Sequence, residues 1–108
     1  MSVVVLLRFK RPIDREGIKG VLEVKVYKVP EEQVPHGFKY SLQFAKWTGS
    51  GWDSNFLRYD NFCGHTNHKH IKGQRFPYKF TDIDTLIRDF NADARELLGF
   101  ELIPWESD

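Results

Sequence analysis

The sequence predicts an α+β fold: an antiparallel β-meander of four to five strands with one C-terminal helix packed on a sheet face. Two patterns lead to this fold class. Polar and apolar side chains alternate in short runs separated by turns that contain Gly and Pro, which is typical of antiparallel strands with one wet face. The last quarter of the chain carries one apolar stripe at helical spacing. A length of 108 residues, 41% of them hydrophobic, suits a single domain over residues 1–108.

The first two predicted strands lie in the N-terminal third of the chain. Residues 3–9 form an apolar, β-branched run, which indicates a strand. Residues 11–17 contain Pro12 and Gly17 and are predicted to form a turn. Residues 21–29 alternate with period two in their second half and form the second predicted strand.

The remaining predicted strands follow after a loop. Residues 38–47 alternate, and the even positions Phe38, Tyr40, Leu42 and Phe44 make the apolar face. The Gly-rich segment 48–51 is a turn of the kind that joins antiparallel strands, and residues 52–59 form the returning strand. A short strand over residues 76–80 would lie at a sheet edge, because Pro77 lacks an N–H to donate.

One helix is predicted to begin at Thr81 and to end before Gly99. Thr81-Asp82-Ile83-Asp84 resembles a capping box with Asp in place of the usual Glu, and Gly99 suits a C-terminal cap. The apolar stripe consists of Ile83, Leu86, Ile87, Phe90, Ala94, Leu97 and Leu98.

Charge is distributed unevenly along a chain whose net charge is only +1. Residues 1–30 carry seven Lys and Arg against three acids, and residues 58–80 carry five against one, so each segment has a net charge of +4. Residues 81–108 carry two Arg against eight acids, a net charge of −6. The asymmetry favours a basic face for a polyanion. The alternative is that the acidic helix lies against the basic sheet and neutralises it.

The segment from Arg58 to Arg75 holds the candidate functional site. Three of the four histidines occur there with the spacing H-x2-H-x-H. His68 and His70 are two residues apart, so an extended backbone would project both from one face. Such a pair could act as general acid and general base on an RNA phosphodiester without a metal or other cofactor, with Asp60 in support. The residues predicted to bind the substrate are Arg58, Tyr59, Lys69, Lys72 and Arg75.

Two other interpretations of this segment stay open. A metal site could use His65, His68 and His70, with Asp60 as a further ligand, although this spacing matches no specific zinc pattern and the adjacent lysines would repel a cation. The histidines could also be solvated loop residues without a role. A third class of function is a non-catalytic module whose basic sheet binds RNA or a protein partner.

Compartment and membrane association follow from composition. A single cysteine, Cys63, excludes an internal disulfide and suits a reducing cytoplasm. The longest apolar run, Val3 to Leu7, is too short for a membrane span. We therefore expect a cytoplasmic protein without membrane association.

Several blocks of the chain, taken in order, resemble the TumE family of small toxins from prokaryotic toxin–antitoxin modules. The resemblance covers roughly residues 3–95, and the order of the blocks is its specific part. The blocks are His36-Gly37-Phe38-Lys39-Tyr40-Ser41-Leu42, Leu57-Arg58-Tyr59-Asp60-Asn61, Gly64, His68-Lys69-His70 and Pro77-Tyr78-Lys79-Phe80.

The resemblance implies a toxin that is neutralised by an antitoxin with a helix-turn-helix domain. A ribonuclease is the activity that best joins a toxin to the cluster of His, Lys and Arg, and the chain could also pair with a second copy of itself. The family commonly has Gly-Lys-Gly-Asp-His-x-His in this region. His68 and His70 match that pattern, whereas His65 stands in place of a lysine and Asn67 in place of an aspartate.

Overall fold

A computed structural model describes residues 3–62 and 67–106, which form one antiparallel sheet of six strands and one helix. The strands follow one another across the sheet in chain order, and each pairs antiparallel with the next. The α+β meander with a C-terminal helix is confirmed, with one strand more than predicted. The elements are β1 (Val4–Arg15), β2 (Ile18–Lys28), β3 (Phe38–Trp47), β4 (Trp52–Asp60), β5 (His68–Ile71), β6 (Gln74–Pro77) and α1 (Ile83–Leu98).

Strand β1 is longer than the sequence pattern predicted. It continues through Pro12 to Arg15, and the turn is confined to Glu16 and Gly17, whose φ angles are 51° and 80°. The prediction of a turn over residues 11–17 was wrong because β1 is the first strand of the sheet. A proline there can face its missing N–H away from the ladder, so it does not interrupt the pairing with β2.

The additional strand arises in the histidine segment. β5 begins at His68 and turns at Lys72 and Gly73 into β6, which spans Gln74–Pro77 rather than the predicted 76–80. β6 is the edge strand at the far side of the sheet, as Pro77 predicted. β5 pairs with β4, and β6 pairs with β5. This register determines the sheet face to which each side chain of the β5–β6 hairpin points.

Helix α1 begins one residue later than the predicted capping box placed it. The N-cap is Asp82, whose carboxylate accepts a hydrogen bond from the backbone N–H of Thr85 at 2.7 Å. That bond holds the pKa of Asp82 below its ordinary value. Gly99 caps the C-terminus with a φ of 89°, a left-handed conformation that glycine adopts without steric cost, and its N–H donates to the carbonyl of Arg95.

The core lies between one face of the sheet and α1. Strands β2, β3 and β4 contribute alternate side chains to it, and the helix contributes the predicted apolar stripe. The fully buried members are Leu22, Val24, Val26, Tyr40, Leu42, Phe44, Leu57, Tyr59, Leu86, Ile87, Phe90 and Ala94. The helix therefore covers one sheet face. The opposite face, here called the open face, has no helix on it in the part of the chain that the structure describes.

The segment after α1 is held against the core by a buried amide. Asn91 donates from Nδ2 to the carbonyl of Ile103 at 2.8 Å and accepts at Oδ1 from the N–H groups of Leu102 and Ile103. Both of its side-chain polar atoms thus have partners, as burial of an amide requires. Among residues 3–62 and 67–106, no helix is long and apolar enough to cross a membrane.

Gly20 lies where β2 and β3 leave no room for a side chain. A Cβ at this position would lie 2.5 Å from the carbonyl oxygen of Ala45 and 2.5 Å from the ring of Phe44. The backbone oxygen cannot move away without disturbing the strand pairing. We expect Gly20→Ala to lower the free energy of unfolding by about 2 kcal/mol, in the range found for overpacked cores. Urea denaturation checks this value.

Gly51→Ala is the matched control for this measurement. A Cβ added at Gly51 would meet no heavy atom within 4 Å, and Gly51 is not among the glycines with positive φ. Its substitution should change the free energy of unfolding by less than about 0.5 kcal/mol. Equal effects at the two glycines would contradict the close approach described for Gly20.

Candidate functional site

Strands β4 and β5 divide the candidate residues between the two faces of the sheet. Leu57 and Tyr59 of β4 point toward α1, so Arg58 and Asp60 point to the open face. In the ladder, Arg58 lies opposite His70, and Asp60 lies opposite His68. Side chains of directly paired residues project from the same face, so these four lie together on the open face.

His68 and His70 contact one another edge to face. Their ring centroids are 5.1 Å apart, and the ring planes meet at 83°. Both rings lie on the same face, as the period-two spacing predicted. His68 is the more deeply placed ring, with only 8% of its side chain exposed, whereas His70 is partly accessible.

Asp60 is a buried carboxylate between Arg58 and His68. It is 1% exposed, its Oδ2 lies 2.5 Å from Nε of Arg58, and its Oδ1 lies 3.2 Å from Nε2 of His68. Neither oxygen makes an aligned hydrogen bond with a described residue, so the contact with Arg58 is an ion pair and the contact with His68 is a close polar approach. The carboxylate can fix the orientation of both side chains, as carboxylates beside imidazoles do in many sites.

The environment of His70 keeps its imidazole neutral near pH 7. Burial lowers the pKa of His70 from the ordinary 6.5, and the neighbouring His68 and Arg58 lower it further. Asp60 opposes this effect, and Arg75 adds to the lowering. A neutral imidazole can accept a proton, which is the requirement for a general base.

Arg75 joins this group from the edge strand, while Lys72 lies at its margin. Arg75 of β6 pairs with His70 and therefore lies on the open face. Lys72 occupies the turn between β5 and β6 with a φ of 51° and an exposed side chain. The open-face site thus consists of Arg58, Asp60, His68, His70 and Arg75.

Two of the predicted substrate-binding residues lie on the opposite face. Lys69 lies between the two histidines in sequence and pairs with Tyr59, so both side chains point to α1. Nζ of Lys69 is 3.1 Å from Oδ2 of Asp93, and the hydroxyl of Tyr59 donates to the same carboxylate and also lies 3.2 Å from the carbonyl oxygen of Asp89. The structure does not bring Lys69 and Tyr59 to the histidine pair.

The tyrosines beneath the helix are poor candidates for acid-base work. Burial raises the pKa of Tyr59 well above 10, and the hydrogen bond to Asp93 raises it further. Burial also raises the pKa of Tyr78, whose hydroxyl donates to Oδ2 of Asp89 at 2.7 Å. Both phenols stay protonated at neutral pH and serve as donors that tie the sheet to the helix.

A second polar cluster, not anticipated from the sequence, lies where the loop before β3 meets the start of β5. Nδ1 of His36 accepts from the backbone N–H of Phe38, which places the ring proton on Nε2, and Nε2 lies 3.2 Å from Oδ1 of Asn67. The hydroxyl of Tyr40 donates to the same oxygen at 2.9 Å. Asn61 bridges the backbone of Phe38 and Tyr40.

This second cluster anchors the residue immediately before His68. His36 also stacks on Phe80 with a centroid distance of 4.2 Å, which fixes its ring. The sequence signal was present, since His36, Asn61 and Asn67 all occur in or near the blocks that carry the family resemblance. Their contacts join residues 25 to 31 positions apart, so the spacing alone could not reveal them.

The residues predicted for a metal site are only partly described. His65 and Cys63 lie outside the described residues. Within residues 3–62 and 67–106, no three His, Cys, Asp or Glu side chains are grouped so that they could hold a metal ion.

The helix does not neutralise the basic residues of the open face. The acidic residues of α1 lie behind the sheet, and the one helix-to-sheet ion pair seen among the described residues joins Lys69 to Asp93. The uneven distribution of charge along the sequence therefore corresponds to a basic open face and an acidic helix side.

Comparison with known proteins gives a family match. A family model described as Toxin TumE matches residues 7–98 of the chain. Searches of curated proteins and of solved structures found no match. The matched range includes all five residues of the open-face site.

Arg75 offers a test of the electrostatics around His70. We expect Arg75→Gln to raise the pKa of His70 toward its ordinary value, because a neighbouring cation is removed. NMR titration of the histidine ring protons measures this pKa. Lys28→Gln, which removes an exposed charge from β2, three strands away from β5, should leave it unchanged. A fall in the pKa of His70 in Arg75→Gln would contradict the described environment.

Proposed function

The chain belongs to the TumE family of toxins, and from that premise we propose that it cleaves RNA without a metal ion through His68 and His70. Family membership makes it the toxin of a toxin–antitoxin module, with an antitoxin as its partner. We further propose that this antitoxin has a helix-turn-helix domain, that the toxin acts in the cytoplasm and that its substrate is RNA.

One observation carries the proposed chemistry. Two imidazoles lie in contact on the open face, with centroids 5.1 Å apart, and one of them, His70, is flanked in the ladder by Arg58 and Arg75. Paired imidazoles supply both a proton acceptor and a proton donor near neutral pH, and arginine binds phosphate oxygens through a planar fork of N–H donors. This combination suits the cleavage of a phosphodiester.

The proposed reaction uses the 2′-hydroxyl of RNA as the nucleophile. His70 accepts the 2′-hydroxyl proton while the 2′-oxygen forms a bond to phosphorus. The bond from phosphorus to the 5′-oxygen breaks, and His68 donates a proton to that leaving oxygen. The products are a 2′,3′-cyclic phosphate and a free 5′-hydroxyl. Each well-placed acid or base contributes about 100- to 10,000-fold to such a reaction.

The different environments of the two histidines support this proposed division of roles. His70 is the more accessible ring, and its lowered pKa favours the neutral form that a base needs. Nε2 of His68 lies 3.2 Å from Oδ1 of Asp60, a contact that orients the ring, and we give His68 the role of the acid. Arg58 and Arg75 would stabilise the charge that builds on the phosphorane oxygens.

Substitution of the proposed base tests the activity. We expect His70→Gln to reduce the rate of RNA cleavage by about 100-fold or more, because the proton acceptor is lost while the fold is kept. His70 is chosen over His68 because the burial of His68 makes its substitution a test of folding as well. The measurement is single-turnover cleavage of a labelled RNA, with identification of the 2′,3′-cyclic phosphate end.

Three controls separate this proposal from its alternatives. Lys28→Gln should cleave at the parental rate. A substrate with 2′-deoxyribose at the cleaved position should resist cleavage, because it lacks the nucleophile. Full activity in EDTA is expected, and loss of activity in EDTA with recovery on adding a metal would favour the metal-dependent hydrolase instead. Cleavage by the His70→Gln variant at the parental rate would contradict the proposed mechanism.

The pH dependence of the reaction follows from the direction of the pKa shift. His70 must be unprotonated to act as the base, so activity falls as the pH drops through its pKa. Because that pKa lies below the ordinary 6.5, the acid limb of the kcat/KM profile should have its midpoint below pH 6.5. A midpoint above this value in the parent protein would rule out His70 in this role.

A further inference from the structure

The open face extends well beyond the histidine pair and carries a second set of basic residues. Arg8 of β1 pairs with Lys25 of β2, and Lys10 pairs with Glu23, so these side chains share one face. Lys39 lies opposite Tyr27 on the neighbouring strand. We use the name basic strip for Arg8, Lys10, Lys25 and Lys39.

The basic strip is continuous with the proposed site. Lys25 pairs with Ser41, and Ser41 pairs with Asp60, so one row of the sheet leads directly from Arg8 to His68. With strands about 4.8 Å apart, the row from β1 to β5 spans about 19 Å. Glu23 partly neutralises Lys25, since the two side chains approach to 3.7 Å, but the cations of the strip outnumber this acid.

Aromatic rings lie at both ends of the strip. At one end, Nζ of Lys39 is 4.9 Å from the ring centroid of Phe62. The ring centroids of Phe62 and Tyr27 are 6.2 Å apart. At the other end, Trp52 is 57% exposed and shares a shallow depression of the open face with Lys10 and Gln43. Trp52 packs against Trp47 with centroids 5.0 Å apart, which holds its ring in place.

We propose that the basic strip and its two aromatic ends bind single-stranded RNA and deliver it to the histidine pair. The inference rests on the proposed function, since it identifies the substrate of the same site as unpaired RNA. Lysine and arginine side chains along the strip contact the phosphates, and the exposed ring of Trp52 and the partly exposed ring of Phe62 stack on bases.

The aromatic ends favour a single strand over a duplex. A base can stack on a protein ring only when it is free of its own helix, and A-form RNA hides its base edges in a deep, narrow major groove. Charge alone would also attract an acidic protein surface. The rings flanking the charges give RNA the better fit, because every base has a face on which to stack.

Binding can be measured apart from cleavage with a 2′-O-methyl RNA, which has no free 2′-hydroxyl. The parent protein should bind a fluorescein-labelled single-stranded 2′-O-methyl oligonucleotide more tightly than the duplex of the same sequence. The triple variant Arg8→Gln/Lys25→Gln/Lys39→Gln should bind the single strand at least roughly tenfold more weakly. The slope of log affinity against log salt should fall by about 2, at roughly 0.7 per phosphate contact on a single strand.

A matched variant removes the same charge from elsewhere. Arg11 and Lys28 lie on the same two strands as Arg8 and Lys25 but on the helix side, opposite or next to core positions, and Lys79 is an exposed loop residue. Arg11→Gln/Lys28→Gln/Lys79→Gln should bind RNA as the parent does. For the rings, Trp52→Ala should weaken binding roughly tenfold. Trp105→Ala, near the start of α1, should not.

The outcomes separate this inference from the proposed cleavage. Normal cleavage with an unchanged KM in the strip variant would overturn the inference and leave the reaction standing. Equal weakening in both triple variants would also overturn it, because net charge rather than location would then control binding. Single-strand binding that depends on the strip, without any cleavage of ordinary RNA, would support the inference and remove the proposed reaction.

Discussion

Arg58 of β4 pairs with His70 of β5, and Asp60 pairs with His68, and the arrangement of both sheet faces depends on this register. The same ladder places Lys69 opposite Tyr59 on the helix side. A shift of the pairing by one residue would exchange the two sets, because side chains alternate with period two. Contacts on the helix side stabilise this register, since the hydroxyl of Tyr59 and Nζ of Lys69 both bind the carboxylate of Asp93 on α1.

The burial of Asp60 shows what the register must hold in place. A carboxylate with 1% exposure is costly to bring out of water unless close partners compensate for the lost hydration. Arg58, two residues before Asp60 on β4, and His68, placed opposite Asp60 by the pairing of β4 with β5, are those partners. Removing one partner of a buried ion pair typically costs about 3–5 kcal/mol, because the other charge is left uncompensated. Asp60 therefore links the stability of the β4–β5 pair to the orientation of His68.

Much of this arrangement was contained in local sequence patterns. Alternation identified β3 and the common face of His68 and His70, and the apolar stripe identified α1. The same alternation places Lys69 on the opposite face from His68 and His70. The prediction that Lys69 binds the substrate beside them did not follow this alternation. Pro12 misled because a proline ends a central strand but not an edge strand, and strand order is a property of the whole sheet. The contacts of His36 with Asn67 join distant parts of the chain, so no local pattern could show them.

In β4 and β5, alternation thus separates the side chains that pack on α1 from those of the proposed site. On the helix side, Tyr59 and Lys69 have their polar groups satisfied by α1, and they fix the backbone of both strands. On the open face, the neighbouring side chains project from that fixed backbone without having to pack against a helix. A site is most effective when rigid elements hold its side chains in place. Because each strand serves both faces, substitutions one residue apart in β4 and β5 report on different properties of the protein.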